Sequence, residues 1–293
     1  MTEAQLNTLI AVADCRSFTI AATQLGISQS AVSHAIRQLE QSLSVSFFHR
    51  NGADIILTDV GEQILRYARE ITGLFDGVRQ EAANSQGIKT GTLRIGSFGP
   101  SASLHLLPEL LTQFHKRYPN IDVHITEGTD HDVLRGLHEH RIDIGFVVLP
   151  EKQFDTHYLA TDQMVVVLPE AHKLAEQSSI SLSDICQEPF ILTGAGSAEI
   201  VKRLFSQEQL SPRIQFRITQ VLSTLAYIER GEAITIMAEL SLPDDYQKRG
   251  VIARPLSPKY QRDIGLAFMP SKQQSPATRA FIQLIKKRIN IKH

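Results

Sequence analysis

The chain has 293 residues, 42% hydrophobic and 21% charged, the composition of a folded protein with room for several cores and not of a disordered or fibrous one. A formal charge of -1 excludes the polycation of a nonspecific nucleic-acid binder, and two cysteines, Cys15 and Cys186, are too few for a disulfide scaffold or a zinc cluster, so both are expected to be buried small side chains. No apolar run approaches the roughly 20 residues that cross a bilayer, and Met1 to Ile10 lacks a signal-peptide pattern, so a cytoplasmic location without membrane contact is expected.

Thr2 to Asp14 places Leu6, Leu9, Ile10 and Ala13 at helical spacing, with Thr2 as the cap. Ser17 caps a second helix on which Phe18, Ala21, Ala22 and Leu25 share a face. Gly26 then reverses the chain, and Ile27 is expected to plug the turn. Ser28 opens a third helix whose side chains split into two arcs: Ala31, Val32, Ala35, Ile36 and Leu39 on one, Gln29, Ser30, Ser33, His34 and Arg37 on the other. Solvated faces are usually rich in Lys and Glu, whereas this one holds short hydrogen-bonding groups suited to base edges in the major groove. Residues 1–58 carry three arginines against four acids, so any DNA contact depends on where the charges sit. Phe47-Phe48-His49-Arg50, the turn signal Asn51-Gly52 and the strand Ile55 to Leu57 read as a wing. Arg50 is then placed for a phosphate or the minor groove, and Thr58 caps a helix whose amides offer another phosphate site.

The run Ser17-Phe18-Thr19-Ile20-Ala21-Ala22-Thr23-Gln24-Leu25, with Ser28-Gln29-Ser30-Ala31-Val32-Ser33, Leu39-Glu40, Phe48-His49-Arg50 and Leu57-Thr58-Asp59-Val60-Gly61, resembles the LysR-type transcriptional regulators. The resemblance implies an α/β protein with a winged helix-turn-helix at 1–58, a dimerising linker helix at 59–88 and a two-lobed effector domain of periplasmic-binding-protein type at 91–293. Lobe I would take about 91–161 and 267–293, and lobe II about 162–266. The family's recognition helix falls on Gln29, Ser30, Ser33, His34 and Arg37, and its wing arginine on Arg50. His34 departs from a frequent arginine, and Ser44 from a frequent glycine.

Val60, Ile64, Tyr67, Ile71, Leu74 and Val78 follow at spacings of 4, 3, 4, 3 and 4, a coiled-coil seam. Gly61, Gly73 and Gly77 each cost about 1 kcal/mol relative to alanine, so the helix needs a partner surface. A second copy is the expected partner, giving a homodimer and from it a homotetramer; packing on the chain's own core is the other reading. Asn84 to Gly87 reads as a hinge.

Strands are expected at Thr92–Ile95, Ile121–Ile125, Asp143–Val148, Met164–Leu168, Phe190–Leu192, Ile214–Ile218, Ala233–Met237 and Asp263–Phe268, and helices at Leu104–Tyr118, 130–140, Ile200–Phe205, Leu222–Ile228 and 275–290. Ligands of open α/β sheets sit at the carboxyl ends of strands. That rule selects Ser97, Phe98, Ser101 and Ser103 after the first strand, Thr126 after the second, and Thr193, Gly194 and Thr219 across the cleft. Each hydroxyl also has a plain reading as a helix cap, and Phe98 and Phe146 are read as core side chains in preference to flanking an aromatic ligand. A small, anionic metabolite fits this chemistry. The basic run Lys272, Arg279, Lys286, Lys287, Arg288 and Lys292 suits the negative end of a terminal helix.

Eight of the eleven histidines lie between His105 and His172, yet His138-Glu139-His140 lacks the spacing of a zinc-protease helix, and neither a phosphate-binding loop nor a serine elbow is present. No enzyme, metal or cofactor is expected. The competing reading is a cytoplasmic solute-binding or metabolic α/β protein with an incidental helical N-terminus.

Overall fold

The computed structural model describes residues 1–49, 55–85, 90–194, 197–270 and 274–289. The expected wing turn Asn51-Gly52 with Arg50, and Gln86-Gly87 of the hinge, lie outside the described residues.

The chain opens with α1 (Glu3–Cys15), α2 (Phe18–Leu25) and α3 (Gln29–Leu43), each begun by the hydroxyl cap that its sequence announces: Thr2, Ser17 and Ser28 accept from the amides of Gln5, Ile20 and Ala31. Gly26 holds φ +66° between α2 and α3, and the turn is closed by backbone bonds from Gly26 and Ile27 to the carbonyls of Thr23 and Ala22. Ile27 is therefore not needed as a plug, and its side chain is 45% exposed. Leu6, Leu9, Val12, Val32, Ile36 and Leu39 form a core that Phe47 and Phe48 complete.

The next helix, α4 (Asp59–Ser85), divides its apolar residues between two faces. Leu65 and Ala68 are buried in the N-terminal core, with Ile64 and Ile71 partly packed against it. Val60, Tyr67, Leu74 and Val78 are exposed, Tyr67 at 64% and Val78 at 68%. Packing on the chain's own core and an open apolar stripe thus coexist on one helix. Its glycines differ too. A Cβ on Gly61 would collide with the carbonyl oxygen of Phe47, whereas one on Gly77 would meet nothing within 4 Å.

Then β1 (Gly91–Ser97), α5 (Leu107–Arg117), β2 (Ile121–Glu127), α6 (Asp130–His138) and β3 (Ile144–Leu149) form a parallel βαβαβ unit of strand order β2-β1-β3. The single helix expected from Leu104 is two pieces: a π-helical turn over Ser101–Leu106 precedes α5. Pro108 sits in the first turn of α5, where a residue without an N–H is tolerated, and the residues before it coil separately.

β4 (Asp155–Pro169) crosses out of this unit and is far longer than its apolar part; its first half is polar and carries no alternating signal. Beyond it come β5 (Ile180–Ser181), α7 (Leu182–Ile185), β6 (Pro189–Thr193), α8 (Ala198–Gln207), β7 (Arg213–Ile218), α9 (Val221–Glu229), β8 (Ile234–Ala238) and β9 (Val251–Ser257). β9 is an unexpected strand because Pro255 argues against one; it pairs with β4 and, over two residues, with β5. β10 (Gln261–Phe268) returns antiparallel between β3 and β4, and α10 (Pro276–Ile289) closes the described chain. The main path reads β2-β1-β3-β10-β4-β8-β6-β7.

Phe98, Phe114, Phe146 and Phe281 fill the core around β1, β3 and β10. Around β4, Met164, Val166 and Leu168 point into one apolar cluster while Val165 and Val167 point into another. Both faces of that strand are covered, and its apolar run is unbroken for this reason. The C-terminal basic residues do not all act at a helix end: Arg279, near the start of α10, pairs with Glu81 of α4.

Gly61→Ala is expected to destabilise the N-terminal unit by about 1–3 kcal/mol through the forced contact with Phe47, and Gly77→Ala to stabilise α4 by about 0.5–1 kcal/mol; thermal unfolding followed by circular dichroism separates the two directions.

Candidate functional site

The helix α3 turns Val32, Ile36 and Leu39 inward and leaves Gln29, Ser30, His34 and Arg37 exposed, with Ser33 half-buried between them. Their hydrogen bonds are local: Gln29 Nε2 donates to Ser33 Oγ at 2.9 Å, Arg37 Nε to the Ser33 carbonyl at 3.3 Å, and the hydroxyls of Ser28 and Ser30 lie 2.9 Å apart. Bonds of this kind within one exposed helix exchange readily for bonds to another polar surface. Beside it the chain doubles back, with the His49 amide donating to the Ile56 carbonyl at 2.9 Å and an antiparallel bridge between Phe48 and Leu57. Arg50 lies outside the described residues. Thr58 is half-buried, donates its hydroxyl to the Ser46 carbonyl at 2.8 Å and accepts from the Gly61 amide at 2.9 Å, tying the start of α4 to the segment before it.

At the carboxyl end of β1, the Ser97 hydroxyl lies 2.7 Å from that of Ser103 and 3.2 Å from the Gly99 carbonyl. Thr126 pairs in register with Gly96 and is exposed at the end of β2. On the far side of the crossing strands, Thr193 ends β6 and Ser197 precedes α8. Both are 1% exposed, and neither hydroxyl has a hydrogen-bond partner among the described residues. The Gly194 amide donates to the Ile218 carbonyl at 2.8 Å, and a Cβ at Gly194 would stand 3.4 Å from Thr219 Cα. The fold thus gathers Ser97, Ser103 and Thr126 at one set of strand ends and Thr193, Gly194, Ser197 and Thr219 at the other.

Phe98 is 1% exposed and belongs to the core, with the Arg262 guanidinium 5.1 Å from its ring centre. Ser101 is buried in a network that sequence reading misses. Asp162 on β4 and Arg262 on β10 form an ion pair of 3.0 Å with both side chains buried. Asp162 Oδ2 also accepts from Ser101 Oγ at 3.3 Å, its Oδ1 accepts from the Leu240 amide at 3.1 Å, and Arg262 Nη2 donates to Ser101 at 2.9 Å. Arg262 Nη1 is buried without a partner among the described residues. A signal for the pair does exist: each charge stands two residues before an apolar run, Met164 to Leu168 or Ile264 to Phe268, on the parity that faces inward. Asp130, at the start of α6, accepts from the Val148 amide at 3.0 Å. Burial pushes its carboxyl above the usual range, against the Val148 bond and the pull of Arg262.

Both cysteines are half-buried and free, not buried as expected. Burial raises the Cys186 thiol above its ordinary value, opposite to the shift that makes a thiolate reactive. Among the described residues no group of three or more side chains is arranged to hold a metal ion, and no helix is long and apolar enough to cross a membrane.

A helix-turn-helix with an open polar face, joined by a long helix to a two-part α/β fold with hydroxyls at its strand ends, defines a ligand-responsive DNA-binding protein as the class. Residues 4–62 match the bacterial regulatory helix-turn-helix protein of the lysR family, and residues 86–290 match the LysR substrate binding domain. The chain is 34% identical to the uncharacterized HTH-type transcriptional regulator YvbU of Bacillus subtilis over 98% of each chain. Its fold is similar to that of a full-length OxyR variant from Pseudomonas aeruginosa, with a TM-score of 0.72, 23% identity and coverage of 99% of this chain and 97% of that one. It is also similar to full-length CbnR complexed with its target DNA, at a TM-score of 0.63, 23% identity and 98% and 99% coverage. The chain belongs to the LysR family: it is a DNA-binding transcriptional regulator with an effector-binding domain, and its relatives are regulators and not enzymes. The reading as a solute-binding protein without DNA recognition is set aside.

Asp162→Ala leaves the Arg262 charge buried and unpaired and is expected to destabilise the chain by about 3–5 kcal/mol, with much of that recovered in the Asp162→Ala/Arg262→Met double variant; denaturant unfolding of the full chain measures both.

Proposed function

We propose that Gln29, Ser30, Ser33, His34 and Arg37 read base edges in the major groove, while Arg50 and Thr58 face the phosphate backbone. The observation that carries this reading is the exposed, short-chain polar face of α3 set against a buried apolar one. The chain divides into a winged helix-turn-helix at 1–58, a linker helix at 59–88 and an effector domain at 91–293. The lobe limits near 161 and 267 fall inside the crossing strands β4 and β10. The exposed stripe of Val60, Tyr67, Leu74 and Val78 joins two copies into a homodimer, and dimers pair into a homotetramer, acting in the cytoplasm.

The effector is a small carboxylate metabolite held between the strand ends by Ser97, Ser101, Ser103, Thr126, Thr193, Gly194 and Thr219, with Phe98 behind them. Three features support this. The hydroxyls of Thr193 and Ser197 are buried without partners among the described residues, and such a group costs about 1–3 kcal/mol until something bonds it. The amides opening α8 favour a negative group. Arg262 Nη1 is a further donor without a partner among the described residues. By binding one lobe arrangement better than another, the ligand shifts the populations of the two, which turns the paired DNA-binding units and changes the half-sites they hold.

In a gel-shift titration on DNA beside its own gene, Gln29→Ala and Ser33→Ala are expected to weaken the cognate site by about 1–3 kcal/mol and leave other sequences little changed, whereas Arg50→Ala weakens all sequences alike. Uniform loss from the helix substitutions would contradict base reading. Native mass spectrometry of the protein after exposure to cell extract is expected to show a bound carboxylate that Thr193→Val no longer retains; retention by the variant removes Thr193 from the site.

A further inference from the structure

We infer that Arg69 is the joint through which the effector lobe and the DNA-binding unit of one chain sense each other, with α6 as the rod that reaches it. The inference rests on the regulatory reading above and adds a route to it.

Arg69 lies in the middle of α4, only 5% exposed. Nη2 bonds Asp14 Oδ1 at 2.5 Å, in the last turn of α1, and Nη1 bonds Glu139 Oε2 at 3.2 Å, at the C-terminal cap of α6. One buried guanidinium therefore holds carboxylates from two separately folded units. Loss of either bond leaves it partly uncompensated in a low-dielectric site, so movement on one side is felt on the other.

Glu139 is shared. Its Oε2 also accepts from Arg141 Nε at 2.7 Å, so it can stay paired whether or not Arg69 holds it. That supplies two discrete arrangements in place of a continuous deformation. The nine residues of α6 span roughly 13 Å. At its other end Asp130 accepts from the Val148 amide near the carboxyl end of β3, and Gly128, just before α6, donates to the Ser97 carbonyl at the end of β1. The rod thus begins beside the strand ends that carry Ser97 and Thr126 and ends at the linker helix.

Among the described residues the contact between α4 and the α/β lobe also includes polar pairs and an unfilled space. Arg66 Nη1 meets His138 Nε2 at 2.9 Å, Arg279 pairs with Glu81, and a cavity of about 130 Å³ remains beside Gly73, Leu74, Arg94 and His140. Ion pairs around a cavity leave the helix freer to tilt than an interlocked apolar seam does. At 100° per residue Val60, Tyr67 and Val78 fall on the side of α4 away from Arg69, while Leu74 borders the cavity, so the Arg69 contact remains available in a dimer.

Hydrogen exchange by mass spectrometry on the full chain, with neither DNA nor effector added, tests the joint. Glu139→Gln is expected to speed exchange in the last turn of α1 by about tenfold, although it lies in the other unit, and Asp14→Asn to do the same at residues 138–141. Arg69→Met does both. Glu127→Gln, at the exposed end of β2, changes neither. If Glu139→Gln speeds exchange only around residue 139 and along α4, or equally throughout α1, α2 and α3, the joint is refuted: the first outcome shows no transmission and the second mere destabilisation. Failure of base reading or of carboxylate capture would leave these exchange rates untouched, so the two proposals fail separately.

Discussion

The two strands that cross between the α/β lobes are held together at a buried charge pair, and the architecture of the second half of the chain turns on it. Asp162 and Arg262 are removed from water, which is costly for each ion, and the cost is met because the carboxylate collects bonds from Arg262, Ser101 and the Leu240 amide. These partners come from the β1–α5 connection, from β10 and from the segment after β8. One carboxylate therefore positions pieces of both lobes, and it does so beside the strand ends where hydroxyls gather. A ligand that altered the lobe arrangement would act close to this clasp.

Helices with two different faces organise the rest. In α3 one face is consumed by the N-terminal core and the other is free, short-chained and polar; the first makes the helix stable, and the second makes it useful to a partner. In α4 the same division recurs with different chemistry. Leu65, Ala68 and Arg69 belong to the chain's own interior, while Tyr67, Leu74 and Val78 are left to solvent. A helix that is committed on one side and available on the other can carry information between units without being the weak point of either.

Much of this architecture is legible from local chemistry. Caps at Thr2, Ser17 and Ser28, the glycine turn at Gly26, and the βαβαβ alternation up to β3 are short-range or strictly periodic features, and the structure follows them closely. The misses share a cause. β9 contains Pro255 and the first half of β4 is polar, so only their neighbours in the sheet make them strands. Ile27 is exposed because backbone bonds already close its turn. For the candidate cleft, the serines and threonines at strand ends follow from the topology rule, yet Asp162 and Arg262 are about 100 residues apart and meet only through the antiparallel register of β4 and β10.

By itself the amino-acid sequence determined the helix-turn-helix, the polar face of its third helix and the βαβαβ order up to β3, because capping, turn chemistry and periodicity act over a few residues. Only the tertiary structure decided which apolar residues of α4 face inward, that Gly61 must remain small against Phe47, and which charges are buried in pairs. Those outcomes depend on contacts between segments far apart in the chain, where no local propensity reports which surface will arrive.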